Sequence, residues 1–189
     1  MPSTRATGNA SRPPMTHTEH PIVTGEPIGG IVAPPAALVA YLRDAGVDHE
    51  FVAPGVPMPT VPLAAAAIGV ADEAILKTIV FSSPHGACVA AVASGTGRID
   101  RAKLAAVAGL PSLKMAAPDV VLRVTGFPAG GVSPLGHAEP MAVVIDERVM
   151  DLPEAWGGGG DERLLLRLRP EDIRRLTGAT VAGILRDPE

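Results

Sequence analysis

The sequence predicts an α/β domain in which helices flank a mixed β-sheet, and three observations carry that reading. Apolar strand-like runs alternate with helix-like segments along most of the chain, the pattern of strands packed against helices. Two of those runs, residues 77–81 and 87–93, are joined only by the short turn Pro84-His85-Gly86, a hairpin that a purely parallel sheet would not contain. The length of 189 residues fits a single core, since domains commonly hold roughly 100 to 200 residues.

Residues 1–33 are rich in Thr, Ser, Pro and Gly, carry two Arg against two Glu and show almost no apolar periodicity. They cannot bury enough surface to offset ordering entropy, so they predict a flexible tail ahead of a domain over 34–189. His17 and His20 lie three apart in that tail, but nothing nearby predicts a helix or supplies a third ligand. The domain opens at Pro34-Pro35, which suit a first helical turn. Leu38, Val39 and Leu42 form one face and Gly46 is the stop, giving a helix over 35–45. A strand over 48–53 follows, Thr60 caps a second helix running to Gly69, and 71–76 reads as a short helical turn.

The hairpin comes next, its second strand closed by Ser94-Gly95-Thr96-Gly97. Asp100 caps a helix that ends at Gly109. Pro118 starts another, with Val120, Val121 and Val124 on its apolar face and Gly126 as its stop. Beyond a loop from Gly126 to His137 the pattern predicts a strand over 141–145, a Gly-rich stretch over 157–160 and a strand over 163–168. A short helix over 170–176 and a last strand over 180–185 complete the chain.

Composition excludes several classes of function. Sixteen Lys and Arg against twenty Asp and Glu leave a formal net charge of −4, so any contact with nucleic acid must be local. With three Phe, one Tyr and one Trp, aliphatic side chains must fill the core, and aromatic platforms for base stacking are scarce. The single cysteine excludes an internal disulfide framework, a Cys-rich zinc site and a Cys-ligated cluster, and fits a reducing cytosol. No apolar run reaches the roughly 18 residues of a membrane span, and the start lacks a charged segment followed by an apolar one. The expectation is a cytoplasmic protein without membrane contact.

Two features point to chemistry. The segment Gly126-Phe127-Pro128-Ala129-Gly130-Gly131-Val132-Ser133-Pro134-Leu135-Gly136-His137 alternates glycine, which lets backbone approach a ligand closely, with proline, which stiffens the turns. That combination predicts a preorganised set of N–H donors for an anionic or carbonyl oxygen. Gly131 and Gly136 have the spacing of a phosphate-binding Walker loop, but His137-Ala138 stands where Lys and Ser/Thr are needed. Gly131-Val132-Ser133 starts like a nucleophile elbow, yet Leu135 replaces its second glycine. Lys77 is the other feature, a lone charge at the head of an apolar strand from which it can reach a ligand oxygen. Asp146 closes the apolar run Val143-Val144-Ile145, either as a ligand contact or as a turn cap, and Cys88 reads as a small core residue.

Taken together, Leu76-Lys77-Thr78-Ile79-Val80-Phe81, the helix from Asp100 to Gly109, Thr125-Gly126, the run Gly130 to Gly136 and Val144-Ile145-Asp146 resemble the YbaK-like family. That family comprises aminoacyl-tRNA deacylases and the editing insertion domain of bacterial prolyl-tRNA synthetases. The resemblance covers about residues 35–185 and implies a single domain whose mixed sheet is partly barrel-like. It implies hydrolysis of a mischarged aminoacyl-tRNA, a small amino acid on tRNA-Pro or a related tRNA, acting in trans. Lys77, Gly131 and Ser133 would be the catalytic residues. Gly126, Gly130, Val132, Pro134, Leu135, Gly136, His137 and Asp146 would hold the substrate.

The implied partners are the 3′ acceptor end of aminoacyl-tRNA and an aminoacyl-tRNA synthetase, with no metal and no cofactor. An aminoacyl ester is already activated, so N–H donors and a placed water suffice without a protein nucleophile. Members of the family often carry a carboxylate in the helix after the first strand, where this chain has the apolar run Leu63 to Ala67. Esters of Cys, Ala and Ser therefore all stay open as substrates. The segment 98–123 holds Arg98, Arg101, Lys103, Lys114 and Arg123 against Asp100 and Asp119, a basic stretch for an acceptor stem. The competing reading is a noncatalytic module that binds a tRNA end or a protein partner on the same fold.

Overall fold

The computed structural model describes residues 32–187. The predicted tail, with its His17 and His20, lies outside the described residues except for its last two positions. Helix α1 (Ala36–Asp44) buries Leu38 and Leu42. Strand β1 (Glu50–Val52) leads to α2 (Val61–Ile68), where Thr60 accepts a hydrogen bond from the Leu63 N–H and Gly69 ends the helix in the left-handed region. A single 3-10 turn over Asp72–Ala74 stands where a helical turn to residue 76 is predicted, because Leu76 already belongs to the sheet.

Strands β2 (Leu76–Ser82) and β3 (Cys88–Ser94) form the expected antiparallel hairpin, with Lys77 opposite Ala93. Asp100 caps α3 (Arg101–Ala108) by accepting from the Ala102 and Lys103 N–H groups. Strand β4 (Lys114–Met115) is too short to show a period in sequence. It is followed by α4 (Pro118–Thr125), β5 (Ala142–Asp146) and a 3-10 turn over Glu147–Asp151. Strands β6 (Ala155–Gly158) and β7 (Leu165–Leu168), helix α5 (Pro170–Thr177) and strand β8 (Thr180–Ala182) complete the domain. The strand expected over 180–185 is thus cut at Ala182, and Leu185 instead makes an isolated antiparallel bridge with Ile99.

The strands form two sheets. One is antiparallel in the order β1-β7-β6; the other has the order β4-β2-β3-β5-β8, with β3, β5 and β8 mutually parallel. A parallel bridge between Ile75 and Trp156 joins them at one corner, which gives the mixed, partly barrel-like arrangement. The main core lies between the sheets, where Leu76, Val80 and Val92 meet Leu166, Leu168, α1 and α4. The opposite face of the larger sheet, with Phe81, Val89, Ala91, Ala93 and Val144, is covered by Leu104 of α3 and by Ile184. Strand β3 is therefore buried on both faces, which is why its sequence is a continuous run of small apolar residues without alternation.

The glycines of β6 correct the sequence reading, which has only a Gly-rich stretch over 157–160. Gly157 and Gly158 pair with Leu166 and Leu165, and they are glycine because the loop after α4 lies directly on them. A Cβ at Gly157 would stand 3.2 Å from Pro134 Cδ, and one at Gly158 would stand 2.9 Å from the Gly131 carbonyl carbon. The strand gives up side chains so that another backbone can approach.

Candidate active site

Lys77 alternates along β2 with Ile79 and Phe81, so its side chain lies on the sheet face away from the main core. It is half-buried, and its Nζ donates to the Gly95 carbonyl at 2.6 Å. Burial pulls its pKa below the ordinary lysine value, and the carboxylate of Asp146 partly offsets that effect. Strand β3 stands between Lys77 and Asp146, and no hydrogen bond joins the two.

The ammonium borders a cleft of about 530 Å³. Ile79, Phe81, Ile99 and Met115 make its apolar floor, while Thr60, Val61 and Pro62 at the start of α2 form one wall. The turn from Gly95 to Arg98 forms the other. Arg98, Arg101 and Arg186 complete the lining, which contains no carboxylate among the described residues. Among those residues, too, the three arginines form no ion pair.

The basic stretch read from 98–123 is thus split. Arg98 and Arg101 reach the cleft, Lys103 pairs with Asp187 and Arg123 with Glu139. Arg186 is invisible to sequence reasoning. It arrives because the segment after β8 runs back along 98–100, with the Arg186 N–H on the Arg98 carbonyl and the Asp100 N–H on the Ile184 carbonyl.

The glycine loop lies elsewhere. None of Gly126, Gly130, Gly131, Val132, Ser133, Pro134, Leu135, Gly136 or His137 lines the cleft. Val132 and Leu135 join the main core with Leu76, on the other face of β2. Ser133 is fully buried, and its Oγ accepts from the Leu135 N–H at 3.4 Å. His137 holds the Ser133 carbonyl at 2.8 Å through Nε2, and burial lowers its pKa. Gly131 does permit close approach, but what approaches is backbone: a Cβ there would lie 2.7 Å from Asp161 Cα. Gly130 and Gly136 have φ of 95° and 73°, and Gly126 ends α4 at 78°, so all three use conformations open to glycine.

Asp146 takes the capping alternative. Its Oδ1 accepts from the Arg148 N–H at 3.3 Å and its Oδ2 from the Ile184 N–H at 2.9 Å. Oδ1 thereby caps the turn over Glu147–Asp151, and Oδ2 fixes the path of the segment that carries Arg186. Next to Lys77, the buried Thr78 hydroxyl has no hydrogen-bond partner among the described residues. Among those residues no three His, Cys, Asp or Glu side chains are grouped to hold a metal ion. Nor is any helix among them long and apolar enough to cross a membrane.

Residues 56–176 match the aminoacyl-tRNA editing domain, and the chain belongs to that YbaK-like family. It is similar to a proline–tRNA ligase of Pelobacter propionicus, 29% identical over 105 residues, which are 56% of this chain and 18% of the ligase. It is also similar to EbsC of Enterococcus faecalis, named as a proposed Cys-tRNA(Pro)/Cys-tRNA(Cys) deacylase. There the identity is 28% over 120 residues, 64% of this chain and 73% of EbsC. Among solved structures, a proposed trans-editing enzyme for prolyl tRNA synthetase superposes with a TM-score of 0.71 at 34% identity. The match covers 80% of this chain and 96% of that one.

Proposed function

We propose that this chain hydrolyses the ester bond of a mischarged aminoacyl-tRNA, with a small amino acid on tRNA-Pro or a related tRNA as substrate. The observation that carries the reading is the Lys77 ammonium, set at the edge of a cleft whose described lining holds no carboxylate, and bonded to the Gly95 carbonyl. One of its three N–H groups is used there, and two are left for a phosphate or an ester oxygen. Water adds to the acyl carbon, the bond to the ribose oxygen breaks, and that oxygen takes up the proton, leaving free amino acid and tRNA. In this scheme Lys77 positions the 3′ end and draws charge from the oxygen that becomes negative.

The apolar floor from Ile79 to Met115 suits a small side chain. It selects by size, and one methylene is worth only about 1 to 3 kcal/mol. We assign the glycine loop a supporting part: its buried residues fix β6 and α1 against β2, and Ser133 is no nucleophile in the scheme. The names of EbsC and of the trans-editing structure, each matched over most of its length, support tRNA-Pro as the carrier and action in trans.

The deciding experiment incubates the purified protein with tRNAs charged with Ala, Cys, Ser and Pro and follows release of the amino acid. Turnover of at least one small ester, with Lys77→Ala much slower, supports the reading. Binding without turnover on every ester would overturn it in favour of a noncatalytic module.

A further inference from the structure

Arg101 and Arg186 line not one cleft but two. Behind them, on the other side of the start of α3, lies a second groove of about 580 Å³, bounded by Ala105, Leu110, Pro111 and Leu113. Both arginines also line the cleft that holds Lys77, so the two spaces meet at this pair. Among the described residues the only carboxylate in the second groove is that of Asp100, and its Oδ1 already accepts from the Ala102 and Lys103 N–H groups. Cationic character therefore continues from Lys77 through Arg98 to Arg101 and Arg186, over a largely aliphatic floor.

A single-stranded polynucleotide presents that same alternation, a charged phosphate followed by a flat, largely apolar base. Guanidinium groups bind phosphates through paired N–H donors and also lie flat against bases, a useful property in a protein with few aromatic residues. Arg186 is held where it can do this by fixed backbone bonds, the Arg186 N–H on the Arg98 carbonyl and the Ile184 N–H on Asp146.

We infer that the second groove binds the unpaired nucleotides preceding the terminal one of an RNA 3′ end, with Arg101 and Arg186 gripping the phosphates between the two spaces. The choice of an RNA end as occupant rests on the proposed function; the groove and its charge do not.

The test uses the full chain and a fluorescent single-stranded RNA tetranucleotide of sequence ACCA, which carries no aminoacyl ester. Binding is followed by anisotropy over a series of salt concentrations. The double variant Arg101→Gln/Arg186→Gln should weaken binding by at least about tenfold and lower the slope of log K against log salt by about 1.4, near 0.7 for each phosphate no longer neutralised. The variant Arg101→Lys/Arg186→Lys should keep most of that slope. Arg174→Gln, on α5 and in the lining of neither space, should bind as the parent does. Unchanged affinity and slope in the Gln pair, or an equal loss in Arg174→Gln, would overturn the inference, provided the thermal melt shows each variant folded. Failure of every charged tRNA to be hydrolysed would instead sink the proposed function and leave this result standing.

Discussion

Lys77 and Asp146 share one face of the larger sheet with β3 between them, yet Lys77 gives its hydrogen bond to the Gly95 carbonyl while Asp146 holds two backbone N–H groups. Among the described residues the half-buried lysine thus has no carboxylate in hydrogen-bond contact, and Asp146 offsets its burial only in part, a costly arrangement for a structural residue and a useful one for a group that must meet a substrate oxygen. Lys77→Ala is expected to lower the hydrolysis rate at least about tenfold, a loss of about 1.4 kcal/mol of transition-state stabilisation, with the fold retained. Single-turnover kinetics on a charged tRNA, with circular dichroism to confirm folding, check this. Equal rates would remove Lys77 from the mechanism.

The same burial makes a prediction about stability. The folded pKa of Lys77 lies below the unfolded value of 10.5, because the charged form is desolvated in the native state. Between those two values the unfolded chain holds a proton that the folded chain has released, so stability attributable to Lys77 rises with pH through that window. Urea titrations of the parent and of Lys77→Met, at a series of pH values from 7 to about 10.5, should therefore show their difference moving in the parent's favour as pH increases. A constant difference would mean that the lysine is solvated after all.

Local signals in the sequence are reliable where the cause is local. Thr60, Asp100, Gly69, Gly109 and Gly126 mark helix ends through caps and left-handed turns that depend on a few neighbouring residues. Lys77 stands out in the sequence as a lone charge at the head of an apolar strand, and the structure places it at the edge of the cleft. What cannot be read depends on distant partners. Strand β6 has the composition of a turn because its glycines make room for Val132 and Gly131, and Arg186 reaches the cleft only because Leu185 pairs with Ile99. The glycine loop has the composition of a ligand cradle, but at Gly131 the space is taken by the backbone of Asp161. Glycine spacing in sequence does not tell which neighbour fills the gap.

His137 predicts a loss of stability on mild acidification. Its Nε2 lies 2.8 Å from the Ser133 carbonyl oxygen, so the neutral ring donates there, and burial keeps its pKa below 6.5 despite that bond. As pH falls from 6.5 towards the lowered value, the unfolded chain gains a proton that the folded chain does not, and the native state loses stability. Replacing His137 by Gln, which can still donate, should flatten this part of the profile relative to the parent. Urea midpoints measured between about pH 5 and 7.5 decide the matter; parallel profiles would show that the imidazole is freely protonated in the folded protein.

Gly131 and Ser133 belong to one loop but differ in expected sensitivity. A methyl group at Gly131 would stand 2.7 Å from Asp161 Cα and 2.8 Å from its N, and backbone cannot step aside as the end of a side chain can. Gly131→Ala should therefore cost stability itself, at least about 2 kcal/mol, in the upper range for overpacked sites. The reduction in activity should follow from the unfolded fraction rather than from a blocked ligand. Ser133→Ala removes only a long hydrogen bond to the Leu135 N–H in a site already closed to solvent. Its cost should be about 1 kcal/mol, the low end for leaving a buried N–H, here that of Leu135, without its partner, with hydrolysis near the parent rate. Thermal melts and rates measured on the two variants side by side separate the possibilities. A stable Gly131→Ala protein without activity would return the loop to the substrate, and a trapped acyl group on Ser133 would make it the nucleophile that the buried geometry argues against.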